Sequence, residues 1–85
     1  MGELSKLPNI GEDTEKQLNM VGIHSYDELK AIGAEQAWLK LQELDESACI
    51  NRLLGLEGAL QGINKTLIKE ERRAELKAFY QWHKK

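Results

Sequence analysis

The sequence of residues 7–23 is LPNIGEDTEKQLNMVGI, and it decides the local architecture from which the rest of the fold follows. A short turn comes first, and Asn9 and Gly11 within it both tolerate unusual backbone dihedral angles. A helical stretch then runs up to Gly22. A glycine just past a helix can take the left-handed conformation that closes the C-terminus, and an apolar residue such as Ile23 often packs back. The stretch therefore predicts a tight turn followed by a helix.

Further helix signals fill the rest of the chain. Ser25 and Glu28 form a capping box, and Gly33 and Gly62 stand where helices should stop. Side chains recur at helical spacing in two stretches, Ala34, Ala37, Trp38 and Leu41, then Leu76, Phe79, Tyr80 and His83. No stretch alternates with period two long enough for a strand. We predict an all-α fold of five to six short helices, over roughly 3–7, 12–21, 26–32, 34–45, 48–61 and 67–83.

Composition restricts the class of protein. The 85 residues suffice for one domain with a small core, 41% of them are hydrophobic, and the single cysteine excludes an internal disulfide. The first residues lack the apolar segment of a signal peptide, and no stretch approaches the ~20 apolar residues of a membrane span. We expect a cytoplasmic domain that does not bind membranes.

A weak repeat organises the first half. The pattern L-x-x-I-G occurs at residues 7–11 and 29–33, and each copy precedes a helical segment. The first copy resembles the helix-hairpin-helix motif, whose hairpin usually reads L-P-G-I-G. We therefore predict a single domain, 1–85, with a degenerate double helix-hairpin-helix at about 3–45, similar to SAM-like and tandem-hairpin cores. A central apolar helix at about 48–62 and a C-terminal amphipathic helix at about 67–83 complete it.

The central helix carries an unusual strip of small residues. Gly55, Gly58, Ala59 and Gly62 follow helical spacing, although glycine in a helix interior costs roughly 0.8–1 kcal/mol relative to alanine. We expect this strip to let another helix approach closely; a kinked helix is the alternative. Glu57 lies on the same apolar helix and therefore needs a partner. We expect a structural hydrogen bond or ion pair with a hairpin backbone amide or with one of three arginines: Arg52, Arg72 or Arg73. A partner-binding or pH-sensitive group is the alternative.

The hairpin is a candidate contact site at Pro8, Asn9, Ile10 and Gly11. Free amides and the dipole at the start of the following helix suit a phosphate, and such contacts grip nucleic-acid backbones without reading bases. Here Asn9 replaces the usual first glycine, and Glu12 and Asp13 stand where DNA-binding copies commonly carry Pro-Lys. Their carboxylates would repel a phosphate. We therefore favour a structural or protein-contact role, with phosphate binding as the alternative.

Charge is distributed unevenly along the chain. Residues 1–47 carry four lysines against ten acidic residues, a net charge of −6, whereas residues 48–85 carry eight basic against four acidic residues, a net charge of +4. If nucleic acid binds at all, the candidate is the basic face of the second half. Its members are Lys65, Lys69, Arg72, Arg73 and Lys77.

No pattern points to catalysis. The two histidines are far apart in sequence, Cys49 has no Cys-x-x-Cys partner, and we expect neither catalytic nor metal-binding nor cofactor-binding residues. We expect Cys49 to be a small core residue and His24 to be a loop residue. Trp38 and Trp82 lie on helical stripes and are expected to be core or interface anchors rather than platforms for stacking bases.

Matching blocks over about residues 4–80 give the chain a family resemblance. They are residues 7–11 (LPNIG), 22–24 (GIH), 27–29 (DEL), 32–34 (IGA), 56–62 (LEGALQG) and 70–76 (EERRAEL). In that order they resemble the C-terminal domain of the TfoX/Sxy family of competence regulators, whose full-length members carry another domain before it. The resemblance implies a role in regulating DNA uptake and related transcription alongside other proteins.

Two functions remain open at this point. The first is a non-enzymatic adaptor that binds a regulatory protein or another copy of itself. The second is weak, sequence-independent DNA binding through the hairpin or the basic face. The acidic first half favours the adaptor, while the hairpin and the basic final helix favour DNA. A small-molecule substrate is not expected.

Overall fold

The chain is all-helical, as the spacing predicted, in a computed structural model that describes residues 3–84. Those residues form five α-helices and two short 3-10 turns, Leu4–Lys6 and Lys65–Leu67, and contain no strand. The helices are α1 (Glu12–Met20), α2 (Tyr26–Ile32), α3 (Ala34–Leu44), α4 (Ile50–Gln61) and α5 (Glu70–His83). The last helix begins at residue 70 instead of 67, because the side chain of Asn64 accepts the N–H of Thr66 at 2.9 Å and starts a separate turn.

The ends of the helices follow the local signals in the sequence. The hydroxyl of Ser25 accepts the N–H of Glu28 at 3.1 Å, which caps α2 as predicted. The Glu28 carboxylate accepts the N–H of His24 at 2.7 Å, one residue earlier than in the standard capping box. Positive φ angles occur at the three glycines expected to stop helices, Gly22, Gly33 and Gly62.

Helix α4 lies at the centre of the packing, in contact with α2, α3, α5 and the second 3-10 turn. Trp38 of α3 is fully buried, and its ring forms T-shaped contacts with the rings of Phe79 and Tyr80 of α5, with centroids 6.3 and 5.6 Å away. These contacts join α3 and α5 in one core. The largest fully buried side chains are Leu4, Leu18, Leu29, Trp38, Leu41, Leu53, Leu56 and Leu76. No helix in the described part of the chain is long and apolar enough to cross a membrane.

Candidate functional site

The hairpin turn points into the molecule. Asn9 has a φ of +68°, a left-handed conformation that asparagine tolerates better than most residues. Its side-chain amide donates to the carbonyl of Ile63 at 2.9 Å, and its side-chain oxygen accepts the N–H of Lys65 at 3.1 Å. Ile10 is only 5% exposed and belongs to the core, Pro8 is half-buried, and Gly11 is exposed. The polar groups of the turn are thus engaged within the fold.

The glycine strip of α4 explains how the turn comes so close. A Cβ on Gly58 would lie 2.4 Å from Nδ2 of Asn9 and 2.8 Å from the carbonyl oxygen of Ile63, so neither atom could keep its place. A Cβ on Gly55 would lie 3.4 Å from Cβ of Asn9, which is ordinary contact. The expectation that another helix would use the strip is therefore wrong. Instead, Asn9 of the hairpin turn and the backbone of residues 63–65 pack against the strip.

Gly62 has a different role from the other two glycines. A Cβ there would meet nothing within 4 Å, and its φ is +73°. It ends α4 in the left-handed conformation, while the N–H of Ile63 donates to the carbonyl of Gly58 at 2.9 Å. This reversal turns the chain back over α4 and delivers residues 63–65 to the Asn9 side chain.

The two L-x-x-I-G segments are built differently. In the first, the positive φ falls on the third residue, Asn9, while Gly11 has a φ of −93°. In the second, it falls on the fifth residue, Gly33, which joins α2 directly to α3 with a φ of +87°. The second segment joins two α-helices, whereas the first follows the short 3-10 turn Leu4–Lys6 and leads into α1, and the turn geometry is not shared. The division into two helix-hairpin-helix elements stays a prediction.

Acidic side chains occupy the start of α1. Glu12 and Asp13 lie in its first turn, and both are exposed. Carboxylates there complement the partial positive charge of the helix N-terminus. Glu15, in the same turn, is buried and accepts the N–H of Ser5 at 3.1 Å, which ties the first 3-10 turn to α1. The end of α1 that faces the hairpin is therefore already rich in negative charge.

Arg72 holds three helices together. Its guanidinium binds Glu35 of α3 at 2.8 Å, Glu57 of α4 at 2.9 Å and Glu75 of α5 at 3.0 Å. Glu57 is the most enclosed of the three, with its side chain 12% exposed, and it also accepts from Gln61 at 2.6 Å. Of the three arginines that the sequence offered as its partner, Arg72 is the one that binds it.

Electrostatics within this cluster follow from its hydrogen bonds. The bonds from Arg72 hold the pKa of Glu35 below its ordinary value, against the opposing effect of burial. The bonds to Glu35 and then to Glu57 raise the pKa of Arg72, so the guanidinium stays charged at every relevant pH. A guanidinium that hydrogen-bonds to two or more carboxylates forms a strong and directional interaction.

The predicted basic face is thus partly used inside the molecule. Arg72 is bound by carboxylates, and Arg73 donates to the carbonyl of Lys65 at 2.8 Å. Lys69 and Lys77 are exposed, and Lys65 is half-buried beside the hairpin turn. Both arginines of the set therefore stabilise the fold, and three lysines remain to meet a ligand.

A cleft of about 240 Å³ opens between the hairpin turn, the start of α1 and the start of α4. Its walls include Asn9, Thr14, Cys49, Arg52 and Lys65. Cys49 is exposed and forms the N-cap of α4, so its interpretation as a core residue was wrong: α4 begins at residue 50, not 48. The guanidinium of Arg52 donates to the side chain of Gln17. Within residues 3–84 no three His, Cys, Asp or Glu side chains gather to hold a metal ion.

Trp82 is the largest exposed apolar side chain in the described chain, with 84% of its surface accessible. It lies near the C-terminal end of α5, about 120° around the helix from the core residue Leu76, and it is not buried in the core as Trp38 is. Around it is a continuous exposed surface of the same helix. We call this the outer α5 face, and it consists of Glu71, Ala74, Ala78, Gln81 and Trp82.

Sequence comparison assigns the family. The profile of the TfoX C-terminal domain matches residues 1–80 of the chain. The chain belongs to the TfoX C-terminal domain family. Protein Sxy of Escherichia coli strain K12 is 36% identical to this TfoX C-terminal domain over 73 residues, which are 86% of the present chain and 35% of Sxy. The chain thus spans about a third of the length of that relative.

Two crystal structures share the fold of this TfoX C-terminal domain. An uncharacterised protein from Listeria monocytogenes in a triclinic form superimposes with a TM-score of 0.92 at 43% identity, covering 95% of this chain and 92% of that one. A Listeria monocytogenes protein of unknown function in a tetragonal form gives a TM-score of 0.91 at 44% identity, covering 94% and 98%.

Sequence reasoning missed several residues of this TfoX C-terminal domain. Glu35 gave no signal, because an acidic residue in the first turn of a helix is ordinary and its partner lies 37 residues away. The exposure of Trp82 was hidden by its neighbours Phe79 and His83, which belong to the half-buried stripe around Leu76. A helical projection places Trp82 about 120° from Leu76, which marks it as outward-facing.

Proposed function

We propose that this domain is a non-enzymatic adaptor that acts through protein–protein contacts, in a protein of the competence-regulator type. The observation that carries the proposal is the exposure of Trp82. A tryptophan side chain buries about 150–250 Å² when covered, so its coverage by a partner removes a large apolar area from water. Exposed aromatic side chains of this size are typical centres of protein interfaces.

The chemistry of the neighbouring surface supports a protein partner. Ala74 and Ala78 lie on the same face of α5, so a partner can approach the helix closely beside the indole ring. Glu71 and Gln81 provide a polar margin around them. An apolar centre with a polar rim is the usual anatomy of a specific interface.

The hairpin and the basic face support the same proposal, because several of their polar and charged groups already bind other groups within the domain. The side chain of Asn9 is hydrogen-bonded to Ile63 and Lys65, and the guanidinium of Arg72 is bound to carboxylates. Glu12 and Asp13 add negative charge at the start of α1. Nucleic-acid affinity depends on free cations that neutralise phosphates, and both arginines of the basic face are already bound within the fold.

The proposal is tested by partner binding with two matched variants. Trp82→Ala removes the proposed anchor, and Met20→Ala removes another exposed apolar side chain, 67% accessible, on α1. The immobilised domain is used to capture proteins from a lysate of its own organism, and each captured protein is then purified and titrated against all three forms. We expect Trp82→Ala to weaken the authentic interaction at least tenfold and Met20→Ala to leave it unchanged. Equal binding by all three forms contradicts the proposal.

Weak DNA binding is the second candidate, and the cleft beside the hairpin favours it. Arg52 and Lys65 both line this opening, next to the turn that grips phosphates in DNA-binding hairpins. An electrophoretic shift in ~50 mM salt tests it: micromolar binding that weakens steeply with added salt supports this function, and its absence refutes it. The double variant Glu12→Pro with Asp13→Lys is expected to create or strengthen DNA affinity. Unchanged affinity contradicts the repulsion by these carboxylates.

A further inference from the structure

The outer α5 face carries a charge gradient along its length as well as an apolar centre. Exposed Glu70 and Glu71 stand at its N-terminal end, and exposed Lys84 stands just past its C-terminal end. Ala78 lies between them, with Ala74 one turn before and Trp82 one turn after. On this face acidic groups, small residues and an aromatic ring follow one another along the 14-residue helix, and a basic group stands just past its end. Exposed Lys69, at the N-cap, offsets part of the negative charge of the first turn.

Resting on the proposed function, we infer that the partner of this face is a second copy of the same chain, bound by antiparallel pairing of the two α5 helices. In a two-fold interface the same patch serves both subunits, so it must complement itself. Antiparallel pairing centred near Ala78 meets this condition. Each Trp82 then lies over Ala74 of the other copy, because both residues are four positions, about 6 Å, from the centre.

Charge selects this direction of pairing over the parallel one. Antiparallel helices bring the Glu70–Glu71 end of each copy against the Lys84 end of the other, twice per dimer. Parallel helices instead bring like charges together, which is unfavourable at close range. The helix dipoles favour the same choice, because the partial charges at the ends of α5 then lie opposite partners of the other sign.

Small residues make the close approach sterically feasible. Ala74 and Ala78 project only a methyl group each, so the indole of the opposite Trp82 can cover the helix surface beside them. The pairing surface is one face of a single helix, which is below the size of standard stable interfaces. We therefore expect a weak dimer whose population depends on protein concentration.

Sedimentation velocity on the purified 85-residue chain from 5 to 500 μM tests the inference, first at low salt and then at about 0.5 M salt, where charge attraction is screened. We expect concentration-dependent dimerisation that weakens severalfold at high salt. Trp82→Ala should raise the dissociation constant at least tenfold, and Met20→Ala should leave it unchanged. Far-ultraviolet circular dichroism confirms that each variant keeps its helices.

A charge reversal gives the sharpest readout. Glu71→Lys alone should weaken the dimer, and Glu71→Lys together with Lys84→Glu should restore it, because the swapped charges again attract across the two-fold axis. A chain that stays monomeric at 500 μM overturns the inference, and so does a dimer that ignores Trp82→Ala or is not rescued by the reversal. A monomeric chain that still binds a different protein through Trp82 refutes self-pairing and leaves the adaptor function intact.

Discussion

Gly58→Ala and Gly55→Ala are the same chemical change, one helical turn apart on α4, and we expect them to have opposite effects on stability. Either alanine improves helix propensity by about 0.8–1 kcal/mol relative to glycine. The difference lies in what the added methyl group meets. At position 55 it makes ordinary contact with Cβ of Asn9 at 3.4 Å, whereas at position 58 it lies 2.4 Å from Nδ2 of Asn9.

The magnitude at position 58 follows from these contacts. The Asn9 side chain must move, which breaks its hydrogen bond to Ile63, worth about 0.5–1.5 kcal/mol. The Ile63 carbonyl oxygen, 2.8 Å from the methyl position, belongs to the backbone and can shift only with its segment. Overpacking of this kind typically costs about 1–3 kcal/mol. After the propensity gain, we expect Gly58→Ala to lower the free energy of unfolding by roughly 1–3 kcal/mol, and Gly55→Ala to raise it by up to about 1 kcal/mol.

Urea and thermal denaturation, followed by circular dichroism at 222 nm, measure both changes. For a domain of this length 1 kcal/mol corresponds to about 4–8 °C in Tm. We therefore expect Gly58→Ala to melt at least about 4 °C lower and Gly55→Ala to melt up to about 8 °C higher. If Gly58→Ala stabilises the protein as much as Gly55→Ala does, the turn does not dock against the helix in the way described.

Two further predictions concern single side chains. Asn9→Ala should lower the free energy of unfolding by about 1 kcal/mol more than Asn9→Gly does, because both variants lose the side-chain hydrogen bonds but only alanine is strained at a positive φ. Chemical denaturation of the two variants measures this difference, and equal unfolding free energies contradict the prediction. The folded-state pKa of Glu35 is depressed, so its ion pair with Arg72 stabilises the protein above pH about 4.5 and this contribution is lost as the pH falls through the lowered pKa. Glu35→Gln should therefore reduce the loss of unfolding free energy between pH 6 and 3 more than Glu75→Gln does, because Glu75 is two-thirds exposed and its ion pair with Arg72 is screened by solvent. Equal pH profiles of the two variants contradict this role of the Glu35–Arg72 pair.

The helices could be predicted because their signals are local. The hydroxyl of Ser25 stands next to the amide it caps, and Gly22, Gly33 and Gly62 act on the turn in which they stand. The buried stripe of α3 also follows from spacing alone, since 3.6 residues per turn fixes which side chains share a face. Bounds were off by up to three residues only where another local structure intervened, as at the turn that Asn64 starts.

The site could be predicted only in part because its contacts are distant in sequence. An apolar helix indicated that Glu57 needs a partner, but nothing local pointed to Glu35 as the other carboxylate on Arg72. The glycine strip indicated that another segment packs closely against α4, but it did not indicate which segment. Arg72 and Arg73 were placed on the candidate basic face, because composition cannot distinguish a free guanidinium from one bound inside the fold.

The docking of Asn9 also has a kinetic consequence. Its hydrogen bonds join residues that are 54 and 56 positions apart, so they close a loop containing most of the chain. Closing so long a loop is entropically unfavourable until α4 and its terminal glycine have formed. We therefore expect the turn to dock late in folding, so that loss of these hydrogen bonds speeds unfolding more than it slows folding.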